Sequence, residues 1–489
     1  MQKEVATKVV RFAPSPTGHL HIGSVRTALF NYLFVKSQDG KFILRIEDTD
    51  ISRSSKSMSE EIINGLQWLE IKWDLGPFYQ SDRFERYKET SFKLLDQGKA
   101  YRCFCTPQEI EERRKNLGKK NKAEQIFKYD RQCLHLTQDE IKEKLKQNIP
   151  FVIRFRIPEG ITYFKDRIHK EMKTNNSELE DFVILKSDNS PTYHLSVVKD
   201  DSDMEITDVI RGDDHISNTF KQLLLFEALG LKPPKYAHLP LILGPDKKKL
   251  GKRHGETSVL EFKKNGYLPE AIITYLSQLS WIPADSKKIF SMEELANQFS
   301  LTKLSKNSPL FDYDKLRFLN GQAIQQRNSK ELYNLMTEDG VFNSNSRFFA
   351  IEREKKIALI ELIKPRMKTL TDFKKKFAIY LNGKLNYDNS DFQKLKKICI
   401  KKNLKKYLKL FLVELKTVES FESAAVEECL RDCAKRNSLK VADLIHPARF
   451  ALTSETVSPS IFDVFAFFGK EESLKRITFF IDYLGKLDA

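Results

Sequence analysis

The sequence predicts an α/β protein with a parallel, doubly wound sheet and an all-helical C-terminal third. Three observations predict it. Short apolar runs alternate with helical periodicity over residues 8–102, which implies a parallel sheet with ligands at the carboxyl ends of its strands. The same alternation resumes over residues 182–243. From residue 326 onward nearly every segment reads as an amphipathic helix, with lysines on the polar faces.

The first element, Lys8 to Phe12, is a short β-like run. Pro14, Pro16 and Gly18 forbid regular structure after it. From Ile22 the apolar residues Val25, Leu29, Tyr32 and Leu33 recur at helical spacing. His19 and His21 therefore stand in a turn at a helix N-terminus, where orphan N–H groups and the helix dipole favour anions. Two imidazoles there suit polyphosphate chemistry, because histidine donates to developing negative charge. A plain strand–helix junction with solvated histidines is the alternative. Lys41 to Ile46 is a near-continuous apolar strand, and Glu47 follows it directly. Glu47 is thus placed at the ligand edge, whereas Asp48 and Asp50 suit turn formation and capping of the next helix. Residues 57–69 and 82–95 have helical periodicity.

Residues 103–189 interrupt the alternation. Cys103-Phe-Cys105, followed by Cys133-Leu-His135, gives Cys-x-Cys…Cys-x-His. Three thiolates and one imidazole make a closed tetrahedral set for a structural Zn²⁺. Alternate residues of an extended strand project to one side, so each pair can bite one ion. Buried or free thiols are the alternative. Beyond the interruption, residues 182–186 and 192–198 read as adjoining strands, 206–210 as a strand ending at Arg211, and 217–229 as a helix. Strand-like His238 to Leu243 and the turn Gly244-Pro-Asp lead into Lys247-Lys-Lys-Leu-Gly-Lys-Arg-His-Gly255. That loop is cationic and, with the two histidines, is placed to clamp a triphosphate. Residues 269–279 and 291–298 are helical, and Cys429 and Cys433, one helical turn apart, read as core.

A chain of 489 residues allows three to five domains, and a net charge of +16 favours a polyanionic partner. No apolar run approaches the ~18 residues of a membrane span. The N-terminus lacks an apolar signal region, which points to the cytoplasm, and six cysteines need no disulfide framework there.

His21-Ile-Gly-Ser24 resembles the HIGH motif of class I aminoacyl-tRNA synthetases, and Lys249-Leu-Gly-Lys-Arg253 resembles their KMSKS motif. Arg11-Phe-Ala-Pro-Ser-Pro-Thr-Gly18, Arg45-Ile-Glu-Asp-Thr-Asp50, Pro191-Thr-Tyr-His194 and Asp208-Val-Ile-Arg-Gly-Asp-Asp-His215 are similar to the bacterial glutamyl-tRNA synthetase family. The likeness covers most of the chain and is strongest between residues 8 and 325. It implies a Rossmann-type catalytic domain in two halves, 1–102 and 190–243, split by a zinc-binding connective insertion, 103–189, that packs against the tRNA acceptor end. It further implies a stem-contact domain with the lysine loop, 244–325, and α-helical anticodon-binding domains, 326–489. Glutaminyl and archaeal-type relatives carry β-barrels there instead.

The implied activity is ATP-dependent activation of L-glutamate and its transfer to tRNA(Glu), with tRNA(Gln) left open as a second acceptor. Mg²⁺ arrives with ATP, one structural Zn²⁺ is carried per chain, no membrane is involved, and a monomer is expected. By resemblance Arg11, Ser15, Glu47, Tyr193 and Arg211 hold glutamate. His21, Gly23, Lys249 and Lys252 contact ATP, and His21, Lys249 and Lys252 are the catalytic set. The two arginines also make physical sense, since a desolvated carboxylate calls for planar bidentate donors. Their alternative role is pairing with Asp48, Asp213 or Asp214. Lys364-Pro-Arg-Met-Lys-Thr-Leu370 and His446-Pro-Ala-Arg-Phe-Ala-Leu-Thr453 match the family best in the C-terminal third. Arg366 and Arg449 are placed there on anticodon bases, or are ordinary helix-surface arginines. One departure stands out: Gly251 occupies a position where the family usually has serine. A catalytically impaired tRNA-binding paralogue is the rival to an active enzyme.

Overall fold

The computed structural model describes residues 7–50, 53–120, 128–284, 289–338, 351–373, 379–380, 385–398 and 403–487. Lys122, the lysines at 374–376 and 401–402, and Cys399 lie outside the described residues. The chain divides into two compact units, residues 1–262 with 272–312, and residues 263–271 with 313–489.

In the first unit the strands are β1 (Val9–Phe12), β2 (Lys41–Ile46), β3 (Leu75–Tyr79), β4 (Ala100–Cys103), β5 (Val152–Phe155), β6 (Ile161–Asp166), β7 (Lys170–Asn175), β8 (Phe182–Leu185), β9 (Asp208–Gly212) and β10 (Lys235–Leu239). The helices that frame them are α1 (Ile22–Lys36), α2 (Lys56–Trp68), α3 (Phe84–Asp96), α4 (Pro107–Lys120), α5 (Gln138–Lys146), α6 (Tyr193–Asp203) and α7 (Ile216–Leu229).

Strands β1, β2 and β3 pair in parallel, as do β9 and β10. The two groups meet where the Thr207 N–H donates to the Val9 carbonyl at 2.9 Å. Helix α1 is buried on most sides, including Ile22, Val25, Ala28, Leu29, Phe30 and Leu33. A helix so enclosed is fixed by packing rather than by amphipathicity, so the turn before it is held firmly.

Residues 192–198, expected as a strand, begin helix α6 instead. Leu195 and Val198 are three residues apart, and both enter one buried cluster with Tyr87, Leu94, Ile184 and Leu224. Helical spacing of the buried pair outweighed the strand preference of the two valines. The interrupting segment is also less separate than its sequence suggests. Strands β4, β5 and β8 form an antiparallel sheet. The β6–β7 hairpin joins the main sheet, where Asp166 pairs with Tyr236 of β10 in parallel register.

In the second unit all described regular elements are helical, from 313–326 to the long 461–487, which breaks at Gly469 with φ 73°. Its core is strongly aromatic: Tyr387 meets Phe450, Phe480 and Tyr483 at ring-centroid distances of 5.7, 4.7 and 5.5 Å. Cys433 is buried, as expected of a core residue, whereas Cys429 is only half-buried. Among the described residues no helix is long and apolar enough to cross a membrane.

Candidate functional site

A cavity of about 740 Å³ opens at the carboxyl ends of β1, β2 and β9. Arg11, Ser15, His21, Gly23, Glu47, Tyr193, Arg211, Lys249 and Gly251 all line it. Residues spread over 240 positions are thus brought together. His19 does not line it and pairs with Glu61 at 2.8 Å. The side chain of Lys252 lies outside the described residues.

His21 is the N-cap of α1: its Nδ1 accepts the Gly23 N–H at 3.0 Å. The ring proton is therefore on Nε2, which keeps a donor for a ligand. Burial, with Lys249 nearby, pushes the His21 pKa down, so the ring is neutral at pH 7. Lys249 Nζ sits 2.8 Å from Asp214 Oδ2 in an exposed pair. Gly212 permits this approach, because a Cβ there would lie 2.5 Å from Asp214 Oδ1. A Cβ at Gly251 would meet nothing closer than 3.9 Å, so glycine is not sterically required in the lysine loop.

The two arginines do not take the alternative partners Asp48, Asp213 or Asp214. Arg11 Nε donates to Asp201 Oδ1 at 3.2 Å, and Arg45 Nη1 donates to the same oxygen at 2.8 Å. Arg45 Nη2 then reaches Glu47 Oε1 at 3.1 Å. Burial pushes Asp201 up, but Arg11 and Arg45 outweigh it and hold its pKa below the usual carboxylate range. For Glu47 burial wins over the same arginines and its pKa is raised. Beside them, Asp200 collects Gln80, Arg83 and Tyr87 at 2.8, 2.7 and 2.9 Å. Asp200 and Asp201 were not legible as site residues while their segment was read as following a strand. Asp48 caps the turn at 80–83 through Ser81 rather than helix α2, which Ser55 caps.

Arg211 donates to Tyr193 Oη, Thr219 Oγ1, Gln222 Oε1 and His238 Nε2. It pairs with neither Asp213 nor Asp214. Burial pushes His215, next to Tyr193, down to about 4.

The three cysteines meet as expected. The sulfurs of Cys103, Cys105 and Cys133 all lie within 4.8 Å of one another. Tetrahedral Zn²⁺ with Zn–S near ~2.3 Å would set them about 3.8 Å apart, so the donor set fits. Hydrogen bonds from Cys133, Tyr129 and Arg154 draw the Cys103 thiol down to about 4, against the effect of burial. His135 is not part of the group. It shares a 3₁₀ turn (Gln132–His135) with Cys133, and in such a turn residues two apart diverge instead of projecting to one side. Tyr129 stands there instead, its Oη 3.1 Å from Cys103 Sγ and 3.5 Å from Cys105 Sγ.

In the helical unit Arg366 and Arg449 share one anchor: Arg366 Nη2 donates to the Ser458 carbonyl at 3.2 Å, and Arg449 Nε to Ser458 Oγ at 3.1 Å. Burial and the neighbouring Arg366 lower the Arg449 pKa, so two cations are held side by side.

Residues 7–318 match the family described as tRNA synthetases class I (E and Q), catalytic domain, and residues 332–481 match an anticodon binding domain. The chain belongs to the glutamate–tRNA ligase family of class I synthetases. A glutamate–tRNA ligase 2 of Thermoanaerobacter pseudethanolicus is 42% identical, over 98% of both chains. The glutamate–tRNA ligase of Thermodesulfovibrio yellowstonii is 43% identical, over 97% of this chain and 99% of its own. Among solved structures, a glutamate tRNA ligase of Elizabethkingia meningosepticum in complex with its amino acid superposes with a TM-score of 0.86 at 31% identity, over 97% and 99% of the chains. Membership of the synthetase family accounts for a lysine loop and a histidine turn facing one cavity in this fold.

Proposed function

We propose that the protein activates L-glutamate with ATP and transfers it to the terminal ribose of tRNA(Glu), in the cytoplasm and as a monomer. The observation that carries this reading is the single cavity in which two arginines, Glu47, Tyr193, His21 and Lys249 converge. Arg11 and Arg211 receive the anionic side chain, and Glu47, Tyr193 and Ser15 orient the rest of the amino acid. Its α-carboxylate attacks the ATP α-phosphate, pyrophosphate leaves, and glutamyl-adenylate forms. The tRNA ribose hydroxyl then attacks the activated carbonyl and AMP leaves. No protein nucleophile is needed, since positioning and charge stabilisation carry both steps. His21 Nε2–H, Gly23, Lys249 and Lys252 serve the phosphates, with Mg²⁺ arriving on ATP.

The domain roles follow the same reading. Residues 1–102 and 190–243 form the catalytic halves, 103–189 the acceptor-end insertion, 244–325 the stem contact, and 326–489 the anticodon-binding part, where Arg366 and Arg449 meet bases. Cys103, Cys105 and Cys133 hold a structural Zn²⁺, with Tyr129 rather than His135 on its fourth side. Metal analysis of protein purified without chelator tests this. One zinc per chain is expected, kept in His135→Ala and reduced in Cys103→Ser and Tyr129→Phe; loss in His135→Ala alone restores the histidine.

The deciding experiment is glutamate charging of purified tRNA(Glu) and tRNA(Gln) in separate reactions with ATP and Mg²⁺. Charging of tRNA(Glu) is expected. Charging of tRNA(Gln) as well would make the enzyme non-discriminating, and charging of neither would overturn the proposal.

A further inference from the structure

Arg211 is held by neutral atoms throughout. Its Nε donates to His238 Nε2 at 3.3 Å and its Nη1 to Tyr193 Oη at 3.3 Å. Its Nη2 donates to Thr219 Oγ1 at 2.7 Å, Gln222 Oε1 at 2.8 Å and, at 3.5 Å, the His215 carbonyl. The guanidinium also lies 5.6 Å from the Tyr236 ring centre. No carboxylate pairs with it among the described residues, although a buried guanidinium is ordinarily given one.

A carboxylate does lie close, one imidazole away. His238 Nδ1 is 2.7 Å from Asp166 Oδ2, which also accepts the His238 backbone N–H at 3.1 Å. Asp166 Oδ1 takes the N–H groups of Ile168 and His169 at 2.7 and 2.8 Å. The imidazole proton is therefore on Nδ1, and the Nε2 lone pair faces Arg211 and Thr219. Asp166, Gln222 and His238 are all at most 1% exposed. His238 thus transmits the orientation fixed by Asp166 without placing its charge on Arg211. Arg11 differs, because it shares the charge of Asp201 with Arg45.

We propose that Gln222 and His238 are specificity-determining positioning residues: they fix the Arg211 fork with neutral acceptors and so leave its full charge to the anionic side chain of the substrate. The inference rests on the reading of Arg211 as a substrate residue. Orientation alone and charge conservation predict opposite results for Gln222→Glu. That change keeps an acceptor at the same atom and strengthens the hydrogen bond, yet cancels the charge.

The test is glutamate affinity of the full-length enzyme by calorimetry at pH 8, with inhibition by glutamine and the KM for ATP measured in exchange assays with tRNA present. Gln222→Glu is expected to weaken glutamate at least tenfold, narrow the glutamate-to-glutamine preference, and leave the KM for ATP within twofold. His238→Gln, which offers a neutral acceptor near Nε2, is expected to stay within about threefold of the parent. Thr219→Asp sets a carboxylate on the same Nη2 and serves if the first variant does not fold. Unchanged or tighter glutamate binding with a carboxylate at either position overturns the inference. Arg211→Gln separates the two levels. If it leaves glutamate affinity intact, the substrate role of Arg211 fails; if it abolishes affinity while the carboxylate variants do not weaken it, only the inference fails.

Discussion

In the catalytic unit Arg11 and Arg45 converge on Asp201, and Asp200 collects three further donors, both carboxylates being buried. In the helical unit Arg366 and Arg449 hydrogen-bond, among the described residues, to the oxygens of Ser458, and Arg366 lies near enough to disfavour the charge of Arg449. The helical core around Tyr387 is built from rings instead. Cations given buried anions form a frame that keeps its shape when empty. Cations left without them keep their field for a polyanion that arrives later. The first arrangement suits a small substrate that must be met in one geometry, the second a nucleic acid that brings its own charge.

Removing a buried anion should break this contrast most sharply. Asp201→Ala takes from the buried Arg11 its carboxylate and from Arg45 the nearest of its anionic partners, and should cost roughly 3–5 kcal/mol in urea unfolding of the catalytic unit. Glutamate affinity should fall with it. Acid should also act on the catalytic unit, since burial lowers the pKa of His21, His194, His215 and His238 there. Burial pushes His194 down to about 3, and its Nδ1 has no hydrogen-bond partner among the described residues. The unfolded chain takes up that proton near pH ~6.5, the fold only near pH 3. The stability it contributes is whole above pH ~6.5 and declines as pH falls toward 3, reaching a loss of about 2 kcal/mol at pH 5. His194→Phe should flatten that decline in melts compared at pH 7 and pH 5.

On the other side, Arg449→Gln should change unfolding stability by less than about 1 kcal/mol, because among the described residues it has no ionic partner to strand. Its effect should appear as a several-fold higher KM for tRNA, with the KM values for glutamate and ATP unchanged. The smallest expected effect is that of Gly251→Ser. The site has room for the side chain, and a less free backbone should favour loop closure. A faster activation rate or tighter ATP binding of a few fold is expected; no change in either removes the argument.

Much of the site was legible because its residues sit at element boundaries. Prolines and a glycine mark the turn before α1, a bare apolar run ends at Glu47, and another ends at Arg211. Such signals are local. The segment that became α6 misled because its valines favour a strand, and only the packing of Leu195 and Val198 on one face decided for a helix. His135 misled because a spacing of two means one side on a strand but different sides in a 3₁₀ turn.

The sequence by itself determined the alternation of strands and helices, the meeting of the histidine turn with the lysine loop, the three-cysteine cluster and the helical C-terminal third. These follow from periodicity, turn chemistry and motif, which short stretches of chain carry. Only the tertiary structure decided that Asp201 serves Arg11 from 190 residues away, that Tyr129 faces the cysteines, and that Asp166 reaches Arg211 through His238. A buried polar group must find a partner wherever the fold supplies one. That choice depends on which strands lie side by side, and it leaves no period in the chain.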